Sequence, residues 1–245
     1  MSTLDYEEAV SRMKEGFAVM FNDLEEIEQA LKKDLRVSLP VIEHKGDKYN
    51  TFREAWIRVA RSVHDTAAEK GFWTDGIEGR DRGELFALIH SELAEGLEFL
   101  REGNWWSGHI PEYKGIEEEL ADTIIRVMDY TVAREIDEAT IDQAIGVLSY
   151  PSVSSPTPKS FSELFDNASS YTFGKPLGKS ESINHMHNLV SLASTAKDGS
   201  EHYGLGSLVV AILQYSYQHR ARVGEAIIAK AAFNKGRAHK HGKEF

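Results

Sequence analysis

The chain has no cysteine among its 245 residues. Disulfide bonds, thiolate catalysis and cysteine-based zinc sites are therefore excluded, and a cytoplasmic setting is the default expectation. Long apolar runs are also missing: none approaches the length of a membrane span, and the start MSTLDYEEAV lacks the pattern of a signal peptide. We therefore expect a protein that does not bind or cross a membrane.

Positive charge is scarce, because 28 Lys and Arg residues face 39 Asp and Glu residues and the net charge is −11. This balance argues against nucleic acid as a partner. It does not argue against a small anionic ligand, since an acidic site that holds divalent cations becomes locally positive and can bind phosphate.

Proline is rare too, with six in the chain, and long stretches have helical periodicity. The sequence predicts an all-α protein with an N-terminal extension and connector (1–50), a first helical unit (51–148), a linker rich in Ser, Pro and Gly (149–182) and a second helical unit with a basic tail (183–245). Helices are predicted over 5–33, 52–70, 82–102, 115–135, 138–148, 183–199 and 205–221, and a last one from 223.

The second unit weakly repeats the first. Sliding MHNLVSLASTAKDG under IHSELAEGLEFLREG aligns His187 with His90 and keeps the small and apolar positions roughly in step. Leu189 then takes the position of Glu92, and the next acid, Glu95, is also replaced by leucine. Either the chain contains an internal duplication whose second copy has lost its acids, or two helical hairpins share a chance similarity.

The helix predicted over 82–102 places a carboxylate among its apolar residues. With successive residues about 100° apart, Glu92 falls near the middle of the leucine-rich arc and Glu95 falls at its edge. Burying an unpaired carboxylate is costly, so Glu92 requires either a bound cation or a salt bridge.

The next helix carries Glu119 and Asp122, which have the same i, i+3 spacing as Glu92 and Glu95. On facing antiparallel helices the two pairs would form one cluster of four carboxylates, and Mg²⁺ or Mn²⁺ would relieve their repulsion. The alternative is a solvated polar stripe of the second helix, formed by Glu119, Asp122, Arg126 and Asp129.

Three segments together resemble a known family: FREAWIRVARSVHDTAAEKGFWTD, RGELFALIHSELAEGLEFLREGN and GIEEELADTIIRVMDY. They are similar to the MazG-like, all-α nucleoside triphosphate pyrophosphohydrolases, whose signature is ExxE, a variable spacer and ExxD. The resemblance covers 52–135 well and 223–245 moderately, but not 1–45 or 149–182. About ninety residues separate the two matching regions, so it implies a MazG-like bundle built as a pseudo-dimer within one chain, with a degenerate second half.

The resemblance implies cleavage of a nucleoside triphosphate between the α and β phosphates, giving a monophosphate and pyrophosphate. Mg²⁺, replaceable by Mn²⁺, would be held by Glu92, Glu95, Glu119 and Asp122. Glu95 or Glu92 would act in catalysis by orienting the attacking water. Asp129 would be an additional or outer ligand, or only a surface acid.

The expected substrate-binding residues fall into three groups. The base would be held by aromatic side chains and a histidine, namely His64, Trp73, Trp105 and Trp106. The phosphates would be met by basic and polar side chains: Lys70, Arg126, Lys230, Asn234, Arg237 and Lys240. Each has a structural alternative, as a core aromatic, a helix-capping lysine or part of a solvated basic terminus.

Two other functions fit the same sequence. A dUTPase or a phosphoribosyl-ATP pyrophosphatase would use a similar bundle with different base and sugar contacts. A non-catalytic helical module that binds nucleotides or a partner protein would have no need for the four acids. The base and sugar preference and a possible homo-oligomeric state are left open by the sequence.

Overall fold

A computed structural model of the chain describes residues 48–103, 105–150, 155–172, 174–197 and 199–239. These residues form helices and isolated β-bridges but no strand, which confirms the all-α prediction for this part of the chain. The predicted helix at 5–33 and the predicted phosphate ligand Lys240 lie outside the described residues. The helices are α1 (Phe52–Glu69), α2 (Arg82–Arg101), α3 (Gly115–Ala133), α4 (Asp137–Leu148), α5 (Phe161–Ser169), α6 (Lys179–Ser194), α7 (Glu201–His219) and α8 (Val223–Gly236).

Side-chain caps fix where the helices of the first half begin. The hydroxyl of Thr51 accepts from the backbone N–H of Glu54 at the start of α1, and Asp81 accepts from the N–H of Glu84 at 2.7 Å at the start of α2. The observed ends of α1 to α4 agree with the predicted ones to within two residues.

None of the helices in the described residues is long and apolar enough to cross a membrane.

Two glycines let α2 and α3 approach closely. A Cβ atom on Gly96 would lie 2.9 Å from Cδ1 of Ile116 and 3.4 Å from Cβ of Glu119, and one on Gly115 would lie 2.1 Å from the ring of Phe99. Any larger residue would push the helices apart. The absence of these side chains therefore brings the two acidic helices into direct contact.

Helix α3 is the central element, since it packs against α1, α2 and α8. Its buried apolar residues include Leu120, Ile124, Val127 and Met128. Because α3 is covered on several sides, its polar residues face neighbouring helices as well as solvent.

The stretch predicted as a linker contains a helix, α5. Ser160 caps it by accepting from the N–H of Glu163, while Phe161, Leu164 and Phe165 are buried in the core. The density of Ser, Pro and Gly in 149–182 concealed this short apolar pattern. The described part of the stretch therefore contributes to the bundle instead of only connecting two units.

The main helix contacts follow a pattern that is unchanged when α1–α4 are exchanged with α5–α8. Helix α2 packs on α3 as α6 packs on α7, α1 packs on α3 as α5 packs on α7, and α3 contacts α8 as α7 contacts α4. Helices α2 and α6 pack on each other, and there the rings of His90 and His187 stack with their Nδ1 atoms 2.8 Å apart.

Candidate metal centre and adjoining cavity

Three of the four predicted metal ligands come together between α2 and α3. Each of Glu92, Glu119 and Asp122 offers a carboxylate oxygen, and these oxygens all lie within 4.8 Å of one another. Glu92 and Glu119 are only 7% and 6% exposed. Glu95 lies outside this triad: it is exposed, and its carboxylate accepts a hydrogen bond from the hydroxyl of Ser91.

The acidic triad of Glu92, Glu119 and Asp122 perturbs its own ionisation. Burial, reinforced by the negative charges of Asp122 and Glu92, raises the pKa of Glu119 from 4.5 to about 9. Burial also raises the pKa of Asp122 to about 6, although the ammonium of Lys230 opposes this change. The triad therefore retains a proton near neutral pH unless a cation replaces it.

Two basic side chains contact the triad. Nε of Arg126 lies 2.5 Å from Oε1 of Glu92, and Nζ of Lys230 lies 2.8 Å from Oδ2 of Asp122. Arg126 thus pairs across the helices with Glu92, and not with the acids of its own helix, Asp122 and Asp129. Lys230 is 2% exposed, so it is not part of a solvated basic terminus.

Glu118 is a further member of the site that the sequence analysis missed. Its buried carboxylate accepts hydrogen bonds from Lys230 and from the hydroxyl of Ser107, and lies 2.6 Å from Nδ1 of His109. Burial alone would raise the pKa of Glu118, but the hydrogen bonds from Lys230 and Ser107 outweigh it and the pKa is lowered. The sequence pattern that could have indicated Glu118 is its i, i+4 spacing from Asp122, which places both residues on one side of the helix.

The predicted solvated stripe on α3 is not what the structure shows. Glu119 is buried and Asp122 is mostly covered, because α2 and α8 pack over this face. A polar stripe on one helix does not distinguish solvent from a second polar helix, and here the partners are Glu92 and Lys230.

Asp129 connects two residues predicted to bind the base. Its Oδ1 accepts from Nε1 of Trp73 at 2.8 Å and lies 2.7 Å from Nδ1 of His64. Burial raises the pKa of Asp129, and the hydrogen bond to Asp129 raises the pKa of His64. His64 and Trp73 are therefore held by one carboxylate, which is not a solvated surface acid.

A cavity of about 390 Å³ borders both groups, since Asp122 of the triad and Asp129 line it. Five predicted or considered site residues line it: Asp122, Arg126, Asp129, Asn234 and Arg237. Its remaining wall is largely apolar and includes Phe72, Leu85, Leu88 and Ile125. Within the described residues, the buried Oδ1 of Asn234 and Nε of Arg80 have no hydrogen-bond partner. A partly open, mostly apolar cavity with a few polar groups is typical of a small-molecule site.

Six of the predicted substrate ligands within the described residues do not line this cavity. His64, Trp73 and Lys230 only contact Asp129 or Asp122, which do line it, and the other three are Lys70, Trp105 and Trp106. Trp105 and Trp106 are 66% and 40% exposed, and Nζ of Lys114 lies 3.4 Å from the centre of the Trp106 ring. Lys70 is the C-terminal capping residue of α1, which matches its structural alternative.

The triad is suited to a hard divalent cation, because it offers only carboxylate oxygens and its buried negative charge is incompletely balanced. No family model, curated protein or solved structure matches the chain.

Proposed function

We propose that the chain is a metal-dependent nucleoside triphosphate pyrophosphohydrolase that releases a monophosphate and pyrophosphate. The observation that carries the proposal is the position of Asp122, which belongs to the acidic triad and also lines the cavity. A ligand in that cavity would place its anionic end beside the triad. The sequence resemblance supplies the reaction, and the geometry is compatible with it.

Glu92, Glu119 and Asp122 would hold Mg²⁺, or Mn²⁺ in its place. A bound divalent cation neutralises phosphate oxygens and lowers the pKa of a coordinated water. Glu95, which is exposed one turn after Glu92 on α2, would orient the attacking water.

The basic groups of the cavity would position the phosphates. Arg126 and Arg237 both line the cavity and can donate to phosphate oxygens. The unpartnered Oδ1 of Asn234 accepts, so it favours a hydroxyl or amino group of the ligand over a phosphate. Lys230 contacts Asp122 and Glu118 and would contribute positive charge for the leaving pyrophosphate.

Product analysis tests the proposal. Ribo- and deoxyribonucleoside triphosphates are incubated with the protein and Mg²⁺ or Mn²⁺, with Glu92→Gln as the variant and Glu102→Gln, an exposed glutamate, as the matched control. We expect monophosphate plus pyrophosphate, abolished only by Glu92→Gln. Diphosphate plus phosphate would exclude this chemistry, and no turnover would favour a binding module.

We also propose that α5–α8 are a degenerate second copy of α1–α4. The exchangeable pattern of helix contacts supports this, as does the contact between His90 and His187, since equivalent residues meet at a two-fold axis. Leu189 and Leu192 then replace two acids, so the duplication predicts one metal-binding cluster per chain. Titration with Mn²⁺ tests this, and two equivalent clusters per chain would contradict it.

A further inference from the structure

Asp129 lines the cavity, and one oxygen of its carboxylate already has two hydrogen-bond partners. Oδ1 of Asp129 accepts from Nε1 of Trp73 and is also bonded to Nδ1 of His64. An indole N–H can only donate, so this oxygen is fixed as an acceptor. With two partners on Oδ1, the orientation of the carboxylate is determined.

The other oxygen, Oδ2, has no donor among the described residues. Asp129 lines the cavity, and its side chain is 21% exposed. A carboxylate oxygen in a largely apolar space gains most from an N–H or O–H donor. A ligand that fills this space therefore needs a donor opposite Oδ2.

We propose that Asp129 is a specificity-determining residue that selects bases with an exocyclic amino group, namely cytosine, adenine and guanine. This inference rests on the proposed function, because it assumes that the base of a nucleotide occupies the cavity. The amino group of such a base donates to Oδ2, while Trp73 and His64 hold Oδ1 and thereby set the direction of the second oxygen.

Uracil and thymine do not meet this requirement. Each has carbonyl oxygens where the other bases have an amino group, and its one N–H donor on that edge lies between two carbonyls. A carboxylate that accepts from this N–H lies close to both carbonyl oxygens and is repelled by them. The proposed contact with Asp129 thus disfavours a dUTPase, which the sequence left open.

The variant Asp129→Asn separates selection from simple support of the pocket. Because Trp73 requires an acceptor, the carbonyl of the new amide takes the position of Oδ1, and its amino group takes the position of Oδ2. Shape and both anchoring contacts are kept, but an acceptor becomes a donor. Asp142→Asn is the matched control, since Asp142 pairs with Arg53 on the exposed surface.

The test measures binding of dCMP, dAMP, dGMP, dUMP and dTMP by calorimetry, alongside hydrolysis of the five triphosphates. We expect the wild-type protein and Asp142→Asn to prefer the three amino-bearing bases. In Asp129→Asn that preference falls by about 10- to 100-fold, which is the effect of one hydrogen bond to a charged group. An equal loss for all five bases would make Asp129 only a structural support and overturn the inference.

The wild-type protein alone also decides the matter, because tight binding of dUMP would contradict the inference whether or not the variant folds. Failure of the proposed function gives a different result. Selective binding of monophosphates without pyrophosphate release from the triphosphates would contradict the proposed hydrolase activity and support the base selectivity. Hydrolysis of all five triphosphates at similar rates would support the hydrolase activity and contradict the base selectivity.

Discussion

Glu119→Gln should stabilise the metal-free protein while it weakens metal binding. In the fold, Glu119 lies within the acidic triad, and burial together with neighbouring charge raises its pKa to about 9. At pH 7 its carboxyl is therefore protonated in the folded chain and ionised in the unfolded chain. Replacing it with a neutral amide of similar size removes this difference.

The magnitude follows from proton linkage. Because the folded-state pKa is raised, the group costs no stability below pH 4.5, and the cost grows as the pH rises from 4.5 towards about 9. It increases by about 1.4 kcal/mol per pH unit, which gives about 3 kcal/mol at pH 7. For a chain of this size, that corresponds to an increase in Tm of about 6 to 12 °C.

The assay is urea and thermal unfolding of the wild-type protein, Glu119→Gln and the exposed control Glu102→Gln, from pH 4.5 to 8 in EDTA and again in Mg²⁺. We expect Glu119→Gln to exceed the wild type in EDTA at pH 7, to match it near pH 4.5, and to gain less from Mg²⁺. A variant that is no more stable than the wild type in EDTA at pH 7, or a difference that does not depend on pH, would refute the reasoning.

Three further predictions concern the same centre. Lys230→Met should lower the free energy of unfolding by about 3 to 5 kcal/mol, because it leaves two buried carboxylates without their cation; urea unfolding tests this against Lys235→Met, an exposed lysine on the same helix. Gly96→Ala should cost about 1 to 3 kcal/mol and weaken Mg²⁺ binding, since the new Cβ would lie 2.9 Å from Cδ1 of Ile116; unchanged binding in calorimetry would contradict it. Binding of Mg²⁺ at pH 7 should release about one proton from Glu119, so its apparent enthalpy should differ between buffers with different ionisation enthalpies.

The helices and one buried acid could be predicted because both are local properties. Caps such as Thr51 and Asp81 and the apolar periodicity lie within a few residues of each helix. The position of Glu92 in the apolar arc of α2 correctly predicted a buried carboxylate that needs a cationic partner, and Arg126 is such a partner.

The remaining contacts could not be predicted because they depend on packing between distant segments. Lys230 reaches Glu118 and Asp122 from α8, more than a hundred residues away in the chain. The role of Asp129 likewise depends on how α1 and the loop after it place His64 and Trp73. A helical wheel reports which side of a helix is polar, but not which element covers that side.

The cost of burying acids also gives a physical reason for the difference between the two halves. On the proposed duplication, Leu189 replaces Glu92, a buried acid of the triad, while Leu192 replaces the exposed Glu95. A second acidic cluster like the first would cost about another 3 kcal/mol at pH 7 in the absence of metal. Domains are stable by only about 5 to 15 kcal/mol, so two such clusters would consume a large part of that margin. A chain that uses one site per bundle therefore gains stability by replacing the second set of acids, and keeps the packing that the first set requires.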